Sequence, residues 1–255
     1  WVLALNVIGN KIYAGGDFTM LGGQTRKYLG AVDISTGVVA SWNPNTNGSC
    51  YAIASTTKQL YAGGDFQSIG GQLRSNLAAI NTINGQLTSW NPGPNSTVSA
   101  LSFSGNTLYA GGYFTLIGGQ TRNYLAAIDS SGIATSWNPN LNNAVGAILV
   151  SGSTVYAGGW FTNAGGQARN RIAAIDAATG NATSWNPNAN GNVLALNLGG
   201  SGQNIEVGGD FTSIGGQTRN YIAQIDSGTG LATSWNPDAN GSVYTIANGG
   251  ANRYV

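Results

Sequence analysis

The stretch Ile12–Trp42, IYAGGDFTMLGGQTRKYLGAVDISTGVVASW, decides the fold, because it returns almost letter for letter four more times. Aligned on the tryptophan of each Ser-Trp-Asn-Pro, the copies place Trp42, Trp90, Trp137, Trp185 and Trp235 at spacings of 48, 47, 48 and 50 residues. A period of that length in a chain of 255 residues points to a repeat array folding as one body rather than to two unrelated domains.

Ahead of this stretch, Val2 to Val7 is nearly all apolar, the pattern of a strand buried on both faces, and is expected to lie innermost. Ile8-Gly9-Asn10 makes a turn, and Lys11 to Gly16 forms a second strand whose closing double glycine lets neighbouring backbone approach. A loop over Asp17 to Thr25 leads to a third strand, Lys27 to Asp33; Ser35-Thr36-Gly37 turns the chain into a fourth, Val38 to Trp42. Asn43-Pro44-Asn45 ends it, since proline has no N–H for the ladder. Four short antiparallel strands per unit, repeated, describe the blade of a β-propeller in an all-β chain. The blades fall at about residues 1–47, 48–95, 96–143, 144–190 and 191–240, followed by a partial sixth at 241–255 with only its first two strands. Tyr254-Val255 stands where each earlier copy runs on to Gly-Gly, so the sequence reads as an excerpt of a longer polypeptide, with a ring of six or more blades expected.

The residues Ile12-Tyr13-Ala14-Gly15-Gly16, Tyr28, Asp33 and Trp42 resemble the motif of kelch-like propellers: hydrophobics into a double glycine, an aromatic, a strand ending in Asp, and a Trp. The longer loop, G-G-D-F-T-x-x-G-G-Q-T-R, is more similar to the delta-60 class of bacterial propeller repeats found in secreted multidomain proteins. That resemblance implies a scaffold and leaves its ligand open.

Composition narrows the function classes. Charged residues make up 7% of the chain and the formal net charge is +1, so there is no basic field for nucleic acid and no acidic run for cations. No apolar run approaches the roughly 20 residues needed to span a bilayer as a helix. Cys50 is the only cysteine and histidine is absent, which rules out an intrachain disulfide and a cysteine-based zinc site; no cofactor or metal is expected. A surface rich in Asn, Ser, Thr and Gly predicts a secreted or cell-surface protein.

The candidate site residues are repeat positions. Asp17, Asp65 and Asp210 follow the double glycine, and Arg26, Arg74, Arg122, Arg169 and Arg219 come nine residues after that position. An Asp–Arg pair pinning each loop is expected, with an anion or glycan site on the arginines as the alternative. In the third and fourth units Tyr113 and Trp160 replace the aspartate. Each ring is expected either to cover its own arginine, Arg122 or Arg169, through a cation–π contact, or to form with its neighbour a platform for a sugar ring. Asp33, Asp129, Asp176 and Asp226, with Asn81 in the second copy, precede short turns whose backbone N–H groups they can accept. The segments at 43–48, 186–191 and 236–241 have the alternate spacing of a calcium loop, but among them only Asp238 is acidic, which falls short of its set of carboxylates. The sequons at Asn47, Asn95, Asn181 and Asn240 fall in predicted turns, as accessible acceptors should. The five Ser-Trp-Asn-Pro tryptophans are expected to pack between blades, and Phe18, Phe66, Phe114, Phe161 and Phe211 to be buried beside their double glycines.

These features predict a non-enzymatic scaffold for adhesion or protein interaction, whose partners are other proteins or surface glycans, with no nucleic acid and no membrane insertion. A carbohydrate-binding propeller is the alternative. A hydrolase or lyase ranks third, because without histidine its acid–base chemistry would rest on repeated aspartates alone.

Overall fold

A computed structural model describes residues 1–200, 202–249 and 252–255. The chain is all-β, with no helix among the described residues, and consists of five repeated antiparallel sheet units with the strand plan of propeller blades. In the first repeat, Val2–Ile8 pairs with Lys11–Gly16, which pairs in turn with Leu29–Asp33. The same three-stranded order recurs in the other four. The chain packs as two compact units, residues 1–122 with 127–135, and residues 123–126 with 136–255.

Three local features refine the expected blade. The fourth strand is reduced to a single antiparallel bridge, Val32 to Val39 in the first repeat and Ile175 to Ala182 in the fourth. Two hydrogen bonds flank it, from the N–H of Asp33 to the carbonyl of Val38 and from that of Ala40 to Ala31, and the Asn-Pro-Asn turn cuts the ladder short. Within the expected loop lies a small hairpin, Met20–Leu21 against Gln24–Thr25. Its two-residue turn, Gly22-Gly23, has positive φ at both positions, the geometry that follows the twist of the strands. The third strand begins at Leu29 because residue 28 is left-handed: Tyr28 and its counterparts Asn76, Tyr124, Arg171 and Tyr221 have φ between 62° and 66°. The peptide there is held from both sides, the N–H of Tyr28 donating to the carbonyl of Phe18 and its carbonyl accepting from Gly16. A bulky side chain in this region is strained, so these paired bonds must over-determine it.

The double glycine does what its sequence implies. A Cβ on Gly63 would come within 2.7 Å of Val98 on the first strand of the following repeat, and one on Gly64 would collide with the carbonyl oxygen of Ser49 beside its own first strand. First strands of successive repeats lie side by side, Val2–Ile8 by Cys50–Ser55, which lies by Val98–Ser104, and Val145–Ser151 by Val193–Leu198 in the other unit. In the later repeats the first strand alternates buried and half-buried. The first copy departs from the doubly buried reading: Val2, Leu3, Leu5 and Val7 are exposed, with Leu5 at 64%.

Between repeats the core forms from two unlike faces. Tyr13 and Trp42 of the first repeat pack with Leu60, Ala62, Phe66 and Ile69 of the second, and Tyr156 and Trp185 of the fourth pack with Ile205, Val207, Phe211 and Ile214 of the fifth. Each tyrosine meets its tryptophan edge-on, the ring centroids 4.9 Å apart for Tyr13 and Trp42 and 5.2 Å for Tyr156 and Trp185. The tryptophan then stitches its repeat to the next. The indole N–H of Trp42 donates to the carbonyl of Asn81 at 2.9 Å, that of Trp90 to Asp129 at 3.1 Å, and those of Trp137 and Trp185 to Asp176 and Asp226 at 2.9 Å. The expected packing of tryptophan between blades is thereby specified, for Trp42, Trp90 and Trp185, as one hydrogen bond and one ring contact each.

Of the five phenylalanines, Phe66, Phe114, Phe161 and Phe211 are fully buried. Phe18 is only half-buried. In the second and fifth repeats an Asn-rich linker lies over the phenylalanine, with Gly48 against the Phe66 backbone and Gly191 against that of Phe211, and among the described residues Phe18 has no such cover.

Candidate functional site

Most repeated polar side chains are engaged in holding the fold. Each loop arginine is a staple. Arg26 donates from one guanidinium nitrogen to the carbonyl of Thr25 at 2.8 Å and from the other to Ala40 at 2.7 Å, on the bridging fourth segment. Arg74 reaches Leu73 and Thr88, Arg122 reaches Thr121 and Thr135, Arg169 reaches Ala168 and Thr183, and Arg219 reaches Thr218 and Thr233. The planar fork suits this task, because it supplies two divergent donors, one to the carbonyl ending the small hairpin and one to a carbonyl of the truncated fourth segment. The expected Asp–Arg pairing gives way to it. The aspartates find other partners: Asp17 accepts from Ser49 at 3.3 Å, Asp65 from the Tyr51 hydroxyl at 2.9 Å and Asp210 from the Asn192 amide at 2.8 Å.

The linker asparagines are similarly occupied. The side-chain oxygen of Asn47 accepts from the backbone N–H groups of Gln67 and Ser68, that of Asn95 from Thr115 and Leu116, that of Asn142 from Thr162 and Asn163, and that of Asn190 from Thr212 and Ser213. Each anchors a linker to the small hairpin that follows it. Oxygens committed to N–H donors do not face a cation, so the calcium-like spacing is explained as linker anchoring. Asn95 also spends its amide nitrogen on the Thr115 hydroxyl at 3.0 Å, which removes that sequon from the free acceptors expected above.

The turn carboxylates behave as their position predicts. Asp176 accepts from the N–H of Ala178 and of Thr179 and from the Thr179 hydroxyl, and Asp33, Asp129 and Asp226 are held in the same manner. Bonds from side-chain hydroxyls and backbone N–H groups hold all four below the ordinary carboxylate value. Asn81 accepts from Ile83 and Asn84 in the same geometry without a charge. The single thiol, Cys50, is fully buried and burial pushes it up to about 12, so it is no nucleophile.

One register position that varies is residue 17, 65, 113, 160 or 210. Its backbone is the same in every repeat, its N–H donating to the residue just ahead of the first strand: Trp1, Ser49, Thr97, Ala144 and Asn192. Its side chain is not. Tyr113, in the first compact unit, is 48% exposed. Trp160, in the second, is half-buried with its six-membered ring lying over Gly146, where a Cβ would come within 2.9 Å of it. In the second repeat an aromatic comes from the opposite partner: Tyr51 on the first strand reaches Asp65 across the same junction, and burial together with that carboxylate pushes its hydroxyl up. Glycine opposite tryptophan and tyrosine opposite aspartate are complementary in size.

The guanidiniums of Arg122 and Arg169 are both committed to backbone carbonyls. A cation unforeseen from sequence is closer: Arg171, at the left-handed position of the fourth repeat, donates to the backbone carbonyl of Trp160. Its signal was a break in the pattern, arginine where the other copies have tyrosine or asparagine. Pro44, Gly70, Gly71, Asn84 and Leu87 line a shallow polar cleft of 700 Å³ in the first compact unit, and Thr56, Tyr61, Trp90 and Asp129 a smaller one of 90 Å³. Neither holds a convergent set of acid, base and nucleophile.

A model of the family described as Domain of unknown function (DUF5122) beta-propeller matches residues 205–228. No curated protein matches the sequence. Among solved structures, the computationally designed Ika8 protein superposes with a TM-score of 0.61 at 17% identity over 97% of this chain and 65% of its own. The extracellular domain assigned to a hybrid two component system, BT4673, of B. thetaiotaomicron superposes with a TM-score of 0.64 at 17% identity over 98% of this chain and 30% of its own. The chain therefore spans under two thirds of either protein, and at this identity the likeness establishes the β-propeller fold and no activity.

Proposed function

We propose that this β-propeller is a non-enzymatic scaffold, displayed outside the cell, that makes several weak contacts with surface proteins or glycans. The observation that carries this reading is the division of labour among repeated polar groups. Arginines, linker asparagines and turn carboxylates are consumed by internal hydrogen bonds, while the position after the double glycine keeps one backbone and changes its side chain. Copies of a small site on a rigid array bind by adding weak contacts through effective concentration. The Asn- and Thr-rich surface suits an extracellular setting, and the fold is one that B. thetaiotaomicron uses in an extracellular domain.

Carbohydrate binding is the sharper form of the same reading, favoured by the exposed ring of Tyr113 and the half-buried ring of Trp160. The test is a panel of neutral and acidic oligosaccharides titrated against the purified chain with tryptophan fluorescence as readout. A sugar-binding scaffold shows saturable quenching that Tyr113→Asp with Trp160→Asp removes. Saturable binding that survives the double substitution would locate the site elsewhere. Turnover of any oligosaccharide would overturn the non-enzymatic reading.

A further inference from the structure

The fourth repeat departs from its sister copies at two positions that meet. At the first, after the double glycine, the aspartates Asp17, Asp65 and Asp210 of the first, second and fifth repeats give way to Trp160. At the second, the left-handed residue eleven positions further on, Tyr28, Asn76 and Tyr221 of those repeats give way to Arg171. The fold joins the two because Arg171 is tied to the backbone on either side of Trp160: its N–H donates to the carbonyl of Phe161, and its carbonyl accepts from Gly159. From there the guanidinium reaches back to the Trp160 carbonyl. Both residues lie within one compact unit, so the pair is a property of that unit alone.

The two exchanges shift the local charge in the same direction. Where the first, second and fifth repeats carry one negative charge at this pair of positions and no positive one, the fourth carries one positive charge and no negative one. The third, with Tyr113 and Tyr124, is neutral. Arg171 also differs from the staple arginines. Arg169 and Arg219 each spend two guanidinium nitrogens on carbonyls, whereas Arg171 spends one, on Trp160, and makes no ion pair among the described residues. It is half-buried, and partial exclusion of water strengthens any charge–charge contact made there. Next to it the six-membered ring of Trp160 lies over Gly146, the residue at which the first strand slips register against the second. The counterparts of Gly146 are Leu3, Tyr51, Ser99 and Leu194, so only the fourth repeat has a glycine where the ring needs the room. Ring, glycine and cation change together.

We infer that Trp160 and Arg171 form a subsite for an acidic sugar, the pyranose ring resting against the indole and the sugar carboxylate on the guanidinium. This deepens the carbohydrate reading of the same position and rests on it. The side chains set the ligand class: a half-exposed indole offers apolar area to the C–H face of a sugar, and a guanidinium takes a carboxylate through paired, charge-assisted N–H bonds. A carboxylate brought to the equivalent place in the first, second or fifth repeat meets an aspartate of its own sign. The array therefore accepts the acidic sugar at the fourth repeat and rejects it at those three. Uronic-acid units of a polysaccharide and terminal sialic acids share this chemistry.

The test titrates the full 255-residue chain with oligogalacturonate and sialyllactose, each beside its methyl ester, which keeps the sugar and removes the charge. Affinities are read by calorimetry for the wild type, Arg171→Tyr and Trp160→Asp. Both substitutions restore residues that other repeats carry on the same backbone, Tyr28, Tyr124 and Tyr221 in one case and Asp17, Asp65 and Asp210 in the other. The expected result is that at least one acid binds the wild type about tenfold tighter than its ester. Arg171→Tyr should bring that acid down to its ester, and Trp160→Asp should abolish the binding of both. Which acid responds separates a uronic-acid polymer from a sialylated glycan as the source. An ester that binds as tightly as its acid, or a preference for the acid that survives Arg171→Tyr, would overturn the acidic subsite and leave sugar binding standing. Binding of neutral oligosaccharides with neither acid bound would do the same. The comparison of acid with ester needs no variant, so it decides the point even where a substituted chain does not fold. No saturable binding of any oligosaccharide, neutral or acidic, would overturn the carbohydrate reading and the subsite with it.

Discussion

At the scale of the residue, the repeat allows one junction to be read as a control for another. Trp90 donates its indole N–H to the carbonyl of Asp129 and meets Tyr61 edge-on at 5.1 Å. Trp90→Phe keeps most of the apolar area and loses the donor, so it is expected to cost about 1 kcal/mol, whereas Trp90→Ala also opens a cavity and should cost about 3–5 kcal/mol. Equilibrium urea unfolding separates the two, and equal losses would show that the hydrogen bond contributes nothing. The turn carboxylates give a second residue-scale prediction. Asp33, Asp129, Asp176 and Asp226 are held below the ordinary value of 3.8, so their contribution to stability is fully present above the unfolded-state value and is lost as pH falls through the lower folded-state values. Asn81 accepts the same backbone bonds without a charge. Replacing all four aspartates by asparagine is therefore expected to keep the fold at neutral pH and to flatten the acid limb of a melting-temperature profile below about pH 4. An acid limb unchanged in that variant would show that the four turn carboxylates do not set the pH dependence.

At the scale of the element, the arginine staple replaces strand pairing that the proline turn forbids. Arg169 spans from Ala168, at the end of the small hairpin, to Thr183 on the fourth segment. Arg169→Lys keeps the charge but offers no divergent fork, so it is expected to raise amide hydrogen exchange over Asn163–Ala168 and Ala182–Trp185 while leaving the first strand protected. Unchanged exchange there would mean that the hairpin is held by its linker asparagine, Asn142, alone. The staple also shows what the sequence could and could not convey. Repeat length, the second strand at Lys11–Gly16 and the turn aspartates were legible because each rests on local rules: period, glycine spacing and side-chain acceptors two residues from their donors. The Asp–Arg pair was misjudged because opposite charges near in sequence say nothing about which carbonyls the fold leaves unpaired. The small hairpin hid behind loop-like glycines, and left-handed Tyr28 hid behind a residue type that sequence patterns do not associate with positive φ. At the candidate site, Tyr113 and Trp160 were visible as exceptions to the repeat, but Tyr51 and Gly146 were not, since their relevance depends on cross-strand register.

At the scale of the whole molecule, the repeats are alike in plan and unlike in cover. Cys50 and Val98 are fully enclosed, while their counterpart Val2 is 52% exposed, and Leu5 and Val7 of the same strand are 64% and 62% exposed where their counterparts Ile53 and Ser55 are half-buried. An exposed row of Val and Leu on a paired strand is a surface that water disfavours, and apolar patches of this kind drive association when nothing else covers them. The 255-residue chain on its own is therefore expected to self-associate, with an apparent mass in sedimentation velocity that rises with concentration and with bound ANS fluorescence. Leu5→Lys with Val7→Lys places two charges on that row at two exposed positions, Leu5 at 64% and Val7 at 62%. The variant should sediment as a monomer across the same concentrations at an unchanged unfolding midpoint. Persistent association would move the sticky surface elsewhere, and a fall in the midpoint would show that the row is covered within the molecule.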